Sequence, residues 1–204
     1  MKGILLRLSG SLVLVLGLWT LVWLPLVVGE TTASAETLEH SLGDPGAPVT
    51  IIEYSSLTCP HCAQFHNEVL PELKERYIAT GKVRLVYRDF PLDQRALQAS
   101  VLAHCAGPDR YFGLLEVMFR TQPTWARSDD LSQLRGLGRL AGMSEAQMDA
   151  CLADEDLVDG ILKTRLDGQE EFDLRSTPTF IIDGQAHAGS RSVEEFSALI
   201  DPLL

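Results

Sequence analysis

Cys59-Pro60-His61-Cys62 is the stretch of this 204-residue sequence best equipped for chemistry. Two thiols three residues apart share one helical face and can exchange a disulfide with each other. Proline is tolerated in the first turn of a helix and costly further in, so Pro60 predicts a helix starting there, with Cys59 at its amino end. The unpaired N–H groups and positive dipole end of that helix favour an anion. The thiolate is the nucleophile, so this position activates Cys59 and leaves Cys62, one turn deeper, as a shielded resolving thiol. His61 is expected to add a donor or a positive charge beside Cys59. A stabilised thiolate favours the reduced state and makes the disulfide more oxidising. Reducing and oxidising dithiols of this kind differ by about 150 mV, or about 7 kcal/mol for two electrons.

The same spacing is half of a zinc site, and His66 falls on the same helical face. A structural zinc needs four ligands, and the next cysteine, Cys105, stands 43 residues beyond Cys62. Redox chemistry is therefore preferred, with no metal and no organic cofactor. If Cys59 and Cys62 pair, Cys105 and Cys151 remain. A bridge between them, closing about 45 residues, would stabilise the fold by roughly 4 kcal/mol; two separate buried thiols are the alternative. Glu53 is either a buried acid or a strand-end acid reaching solvent. His40, His104 and His187 have no partner at a chemical spacing and read as surface or satisfied histidines. Tyr111 and Trp125 read as core. By itself, Thr177-Pro178 reads as an ordinary trans peptide at the start of a strand.

The elements that must position these residues follow from periodicity. Gly- and Pro-rich residues 41–48 form a loop, and β-branched residues 49–54 a buried strand carrying Glu53. A helix runs over 59–80, with Phe65, Val69, Leu73 and Tyr77 on one face, a kink expected at Pro71 and an end at Gly81. A second strand covers 83–87. Residues 92–172 are helical, with breaks near Gly107-Pro108, Pro123 and Gly142. Strand character returns at 179–182, Asp183-Gly184 makes a hairpin turn before 185–188, and 193–200 closes as a helix. The result is an α/β domain built from 36–91 and 173–204, interrupted by a helical insertion over 92–172.

Residues 1–35 read as an export signal rather than as part of that domain. Lys2 and Arg7 precede an uncharged stretch over 8–29, and Ala33-Ser34-Ala35 is a cleavage-type triplet. An uncleaved membrane anchor over 8–29 is the alternative, and both put the remainder outside the cytoplasm, where disulfides persist. With 17 basic and 28 acidic residues the chain carries a net charge of −11. That charge repels phosphate backbones and argues against nucleic-acid binding.

The motif after a buried strand, a helical insertion, and then Ser176-Thr177-Pro178-Thr179-Phe180 together resemble the DsbA-like thiol:disulfide oxidoreductases of thioredoxin fold, over residues 40–204. The resemblance implies a thioredoxin fold with a helical insertion domain, Cys59 as nucleophile and Cys62 as resolving cysteine. It implies a cis-proline at Pro178, with the Thr177 backbone binding extended substrate, and proton transfer at Glu53 beneath Cys62. It also implies a structural disulfide between Cys105 and Cys151. Reduced exported proteins are the implied clients, with a membrane DsbB-like partner as reoxidant. Strong oxidases of the family usually carry valine before the cis-proline, whereas this chain has Thr177, which is commoner among isomerases and other DsbA-like branches. The function expected is disulfide formation in exported, periplasmic proteins by a monomer. Isomerase or reductase action by the same dithiol is the first alternative, and a non-catalytic thioredoxin-fold chaperone or binding module the second.

Overall fold

The computed structural model describes residues 38–204 except Asp129. The expected export signal or anchor lies outside the described residues. Residues 38–204 form one compact unit. Among the described residues no helix is long and apolar enough to cross a membrane.

Five strands make one sheet: β1 (His40–Leu42), β2 (Val49–Ser55), β3 (Val83–Asp89), β4 (Thr179–Ile182) and β5 (Gln185–Ala188), in the order β1-β3-β2-β4-β5. β2 and β3 run parallel at the centre, while β1, β4 and β5 pair antiparallel with their neighbours. The edge strand β1 overlaps the start of what the sequence presented as a Gly- and Pro-rich loop over 41–48. Its three residues are too few to show alternation. Asp183 and Gly184 both adopt positive φ, 49° and 72°, as the two-residue hairpin between β4 and β5 requires.

One face of the sheet changes character along its length. Val49 and Ile51 stand opposite Val83 and Leu85, and this end packs with Phe180 and Ile182 against the helices that follow β2 and β5. Farther along the same face, Glu53 stands opposite Tyr87 and Ser55 opposite Asp89, all four buried. The active-site helix lies above this transition. It begins as α1 (Pro60–Gln64), widens to π geometry over Phe65–Val69, continues as α2 (Leu70–Leu73) and widens again over Lys74–Ile78. The π turn directly precedes Pro71. The change of pitch falls beside Pro71, where the sequence led us to expect a kink, and accommodates the proline's missing N–H.

The helical block comprises α3 (Gln94–Cys105), α4 (Pro108–Arg120), α5 (Gln122–Trp125), α6 (Ser132–Leu140), α7 (Glu145–Leu152) and α8 (Glu155–Phe172). Its starts are encoded locally. Asp93 caps α3 through Ala96 N–H, and Ser144 and Gln147 form a capping box on α7. The core of α3–α7 is continuous with the active-site turn: Leu57, Cys62 and Ala63 pack with Leu102, Leu115, Met118 and Trp125 in one cluster. α8 instead serves the sheet. A Cβ on Gly168 would lie 2.6 Å from the Tyr54 ring, so only glycine lets α8 pack this closely on the second face. The chain closes with α9 (Val193–Ile200), capped by Ser192 and Glu195.

Candidate active site

Cys59 ends the turn after β2 and is the N-cap of α1, with extended backbone (φ −78°, ψ 121°) and Pro60 following at the first helical position. The turn is held from several sides. Cys59 N–H donates to Ser56 O at 3.0 Å. Thr58 Oγ1 donates to Asp93 Oδ2 at 2.8 Å, tying the turn to the start of α3. Gln122 Nε2 donates to the carbonyls of both Leu57 and Cys59, at 2.8 and 2.9 Å. Cys59 is 6% exposed and Cys62 fully buried, both as free thiols.

The Thr177–Pro178 peptide is cis, not the trans form the dipeptide alone suggested, and it faces the motif. As a thiol, Cys59 Sγ donates to Thr177 O at 3.3 Å. A hydrogen bond from the Cys62 thiol lowers the Cys59 pKa from 9.0 to about 5. Desolvation opposes it, and the Thr177 side chain and the N–H groups of Cys62 and His61 assist. His61 thus acts on the sulfur through its main chain while its imidazole is exposed; the sequence reading had given that part to the side chain. Burial pushes Cys62 the opposite way, well above the ordinary thiol range, and the Cys59 and Glu53 charges add to the rise. The two thiols are thereby divided into an attacking thiolate and a proton-holding partner.

Glu53 is fully buried, so the solvent-reaching alternative does not hold. His66 Nε2 lies 2.9 and 3.1 Å from its two carboxylate oxygens, and the imidazole stacks on Phe119 of α4 with centroids 4.0 Å apart. His66 therefore partners an acid rather than completing a zinc set. Among the described residues no group of three His, Cys, Asp or Glu side chains is placed to hold a metal ion. Cys105 and Cys151 form a disulfide that joins α3 to α7, within the helical block.

Some contributors were not visible in the sequence. Gln122 reaches the motif from 63 residues away, and Tyr87 joins the site only through strand register. His40 and His104, which the sequence left without a chemical partner, are hydrogen-bonded to each other at 3.1 Å, and His104 also bonds Asp89 at 2.8 Å.

The Thioredoxin family model matches residues 35–202. A candidate protein-disulfide oxidoreductase of Rickettsia bellii is 32% identical over 174 residues, 84% of this chain and 67% of its own length. Its counterpart in Rickettsia conorii is 32% identical over 177 residues, covering 86% and 64%. The chain thus spans about two thirds of those relatives. The crystal structure of Wolbachia pipientis alpha-DsbA1 superposes with a TM-score of 0.76 at 33% identity, over 81% of this chain and 90% of that one. BdbD of Bacillus subtilis, at 19% identity and a TM-score of 0.73, shares the fold. A thiolate-favouring dithiol facing a cis-proline, on a chain matched along nearly its whole described length, places the protein in the DsbA-like family of thioredoxin fold.

Proposed function

We propose that this chain is an extracytoplasmic thiol:disulfide oxidoreductase that forms disulfides in exported proteins. The observation that carries the reading is the split between the two thiols: Cys59 drawn down to about 5 and Cys62 pushed up. A client thiolate attacks Cys59 Sγ, the Cys59–Cys62 bond breaks, and Cys62 leaves with the electron pair and takes a proton. The client's second thiolate then attacks its own sulfur in the mixed disulfide. Cys59 departs as a thiolate at neutral pH, so the reduced enzyme is a good leaving group. Thr177 O and the chain beside it would pair with the client backbone next to the reacting cysteine. Reoxidation falls to a membrane partner of the DsbB kind, and the cysteine pair alone carries the electrons, with no metal or organic cofactor. The export signal read over 1–35 supports a site of action outside the cytoplasm, in the periplasm, and the protein works as a monomer.

Isomerase or reductase action uses the same thiols in the reverse sense, and Thr177 is the feature that favours it. The reduction potential of the Cys59/Cys62 couple against glutathione decides between them. A value near the oxidising end, about −120 mV, is expected; one near about −270 mV would identify a reductase.

A further inference from the structure

Residues 38–42 fasten one edge of the sheet, and their side chains dock on different elements. Leu38 packs on α8 so closely that a Cβ on Gly160 would lie 2.7 Å from its Cδ1. Glu39 bridges two cations of β3, with Arg84 and Arg88 donating to its separate oxygens at 3.0 and 3.1 Å. Leu42 packs against the core between the sheet and the helices that follow β2 and β5. His40 is half-buried and stacks on Tyr111 of α4 with centroids 3.5 Å apart. Only His40, Ser41 and Leu42 pair with β3, opposite Tyr87, Val86 and Leu85. A ladder this short leaves much of the attachment to the side chains.

The His40 attachment has a fixed capacity for protons. His40 Nε2 lies 3.1 Å from His104 Nδ1, and His104 Nε2 lies 2.8 Å from Asp89 Oδ2. The other Asp89 oxygen accepts from Ser100 Oγ, and both residues are buried. A carboxylate accepts, so His104 Nε2 carries a hydrogen. One further hydrogen lies between His40 Nε2 and His104 Nδ1, whichever ring owns it. The bond forms with both rings neutral, or with one positive charge on the pair, which the Asp89 carboxylate offsets. It cannot form with both rings cationic, because two N–H groups then face each other and like charges meet at contact distance.

We propose that residues 38–42 are an acid-released strap: a second proton on the His40–His104 pair breaks the bond and frees β1 from β3 and the helical block. The inference goes beyond the dithiol reading and does not depend on it. Burial above all, then the neighbouring His104, lowers His40 from 6.5 to about 4, against the opposing pull of Asp89. A detached His40 titrates at the ordinary value, so below it the released strand holds a proton that the docked strand lacks. Docking is therefore complete above the ordinary value and weakens as pH falls towards the folded one. The other groups facing His40 do not share this response. Burial, then Asp89, holds the Tyr87 and Tyr111 hydroxyls well above the ordinary phenol range and so neutral. Phe112, edge-on to His40, carries no charge. Glu39 with its two arginines belongs to the next position, which an extended chain directs to the opposite face. Release uncovers the outer N–H and C=O groups of β3, an open sheet edge, and leaves β2, β4 and the motif in place.

Hydrogen exchange of the whole protein, read by mass spectrometry of peptic peptides and corrected for the intrinsic effect of pH, measures the opening of β1. From about pH 7 to about pH 5 the opening equilibrium of residues 38–42 should grow about twentyfold, while β2 and β4 keep their protection. His40→Gln has an amide that can still donate to His104 and does not titrate. His40→Phe keeps the stack on Tyr111 and does not titrate either. Whatever these changes do to docking at neutral pH, the growth on acidification should disappear in both. Glu39→Gln removes the carboxylate of the strap and should retain the growth. Exchange of β1 that is unchanged between the two pH values would overturn the proposal. So would the same growth in both His40 variants, or its loss in Glu39→Gln, since either assigns the response to another group. Protection lost equally from β2 and β4 would overturn it too, as general unfolding in acid.

Discussion

Gln122 donates from one amide nitrogen to two main-chain carbonyls, those of Leu57 and Cys59, and so binds the helical block to the reactive turn. The amide is 5% exposed, and both acceptors belong to a turn that ends in the nucleophile. Gln122→Leu should leave those carbonyls unsatisfied at a cost of about 1–3 kcal/mol. It should also loosen the geometry that lowers the Cys59 pKa. Denaturant unfolding measures the first effect and the pH dependence of Cys59 alkylation the second, with the midpoint expected to move upward from about 5.

Thr177 faces Cys59 with its carbonyl and carries a buried hydroxyl without a hydrogen-bond partner among the described residues, a group free to donate to Cys59 once it ionises. Thr177→Val keeps the shape and removes the hydroxyl. The Cys59 pKa should rise by roughly one unit, the size of a hydrogen bond to a charged group. Ultraviolet absorbance of the thiolate against pH checks this, and an unchanged midpoint would assign the low value to the Cys62 thiol and the main chain alone.

The Glu53–His66 pair is a buried interaction whose halves are worth little apart. His66→Leu strands the carboxylate in the core and should destabilise by about 3–5 kcal/mol. The double change Glu53→Leu/His66→Leu should recover much of that loss, since a dry apolar pair needs no partner. Guanidinium unfolding of the two single variants and the double one gives the coupling directly.

The disulfide between Cys105 and Cys151 spans a sequence separation of 46 and joins the end of α3 to α7. Replacing both by alanine should cost about 4 kcal/mol through loop entropy. Dithiol exchange at Cys59 should continue, because neither sulfur takes part in it. Loss of exchange in a folded double variant would show otherwise.

What the sequence displayed and what it hid divide along the range of the interactions. Cys59-Pro60-His61-Cys62 is legible because helix-capping chemistry acts within four residues. The Asp183-Gly184 hairpin is legible because only residues tolerant of positive φ fit there. Glu53 on its strand was visible, but whether it was buried was not, since that depends on the helix laid above it. Gln122 and Tyr87 were hidden because helix packing or strand register alone brings them to the site. His66 illustrates the hazard: its helical spacing from Cys62 suggested a metal ligand, and only the fold shows that its partner is an acid on another element.

A stabilised Cys59 thiolate should make the reduced protein the more stable form, and its stability should depend on pH in a defined sense. The folded pKa of about 5 lies below the ordinary 9.0. The thiolate's contribution is therefore complete above pH 9, shrinks as pH falls, and is gone once pH has passed below the folded pKa. At pH 7 it amounts to about 3 kcal/mol, against about 2 kcal/mol from closing the short Cys59–Cys62 loop. Cys62, shifted upward, works against the reduced form only at alkaline pH.

The most direct measurement is guanidinium unfolding of reduced and oxidised protein in the Cys105→Ala/Cys151→Ala background, so that reduction opens only the active-site bridge. At about pH 8 the reduced form should have the higher midpoint, and near pH 5 the order should reverse as the thiolate is protonated. An oxidised form that is more stable at both values would contradict a thiolate-driven oxidase and identify the bridge as an ordinary stabilising disulfide.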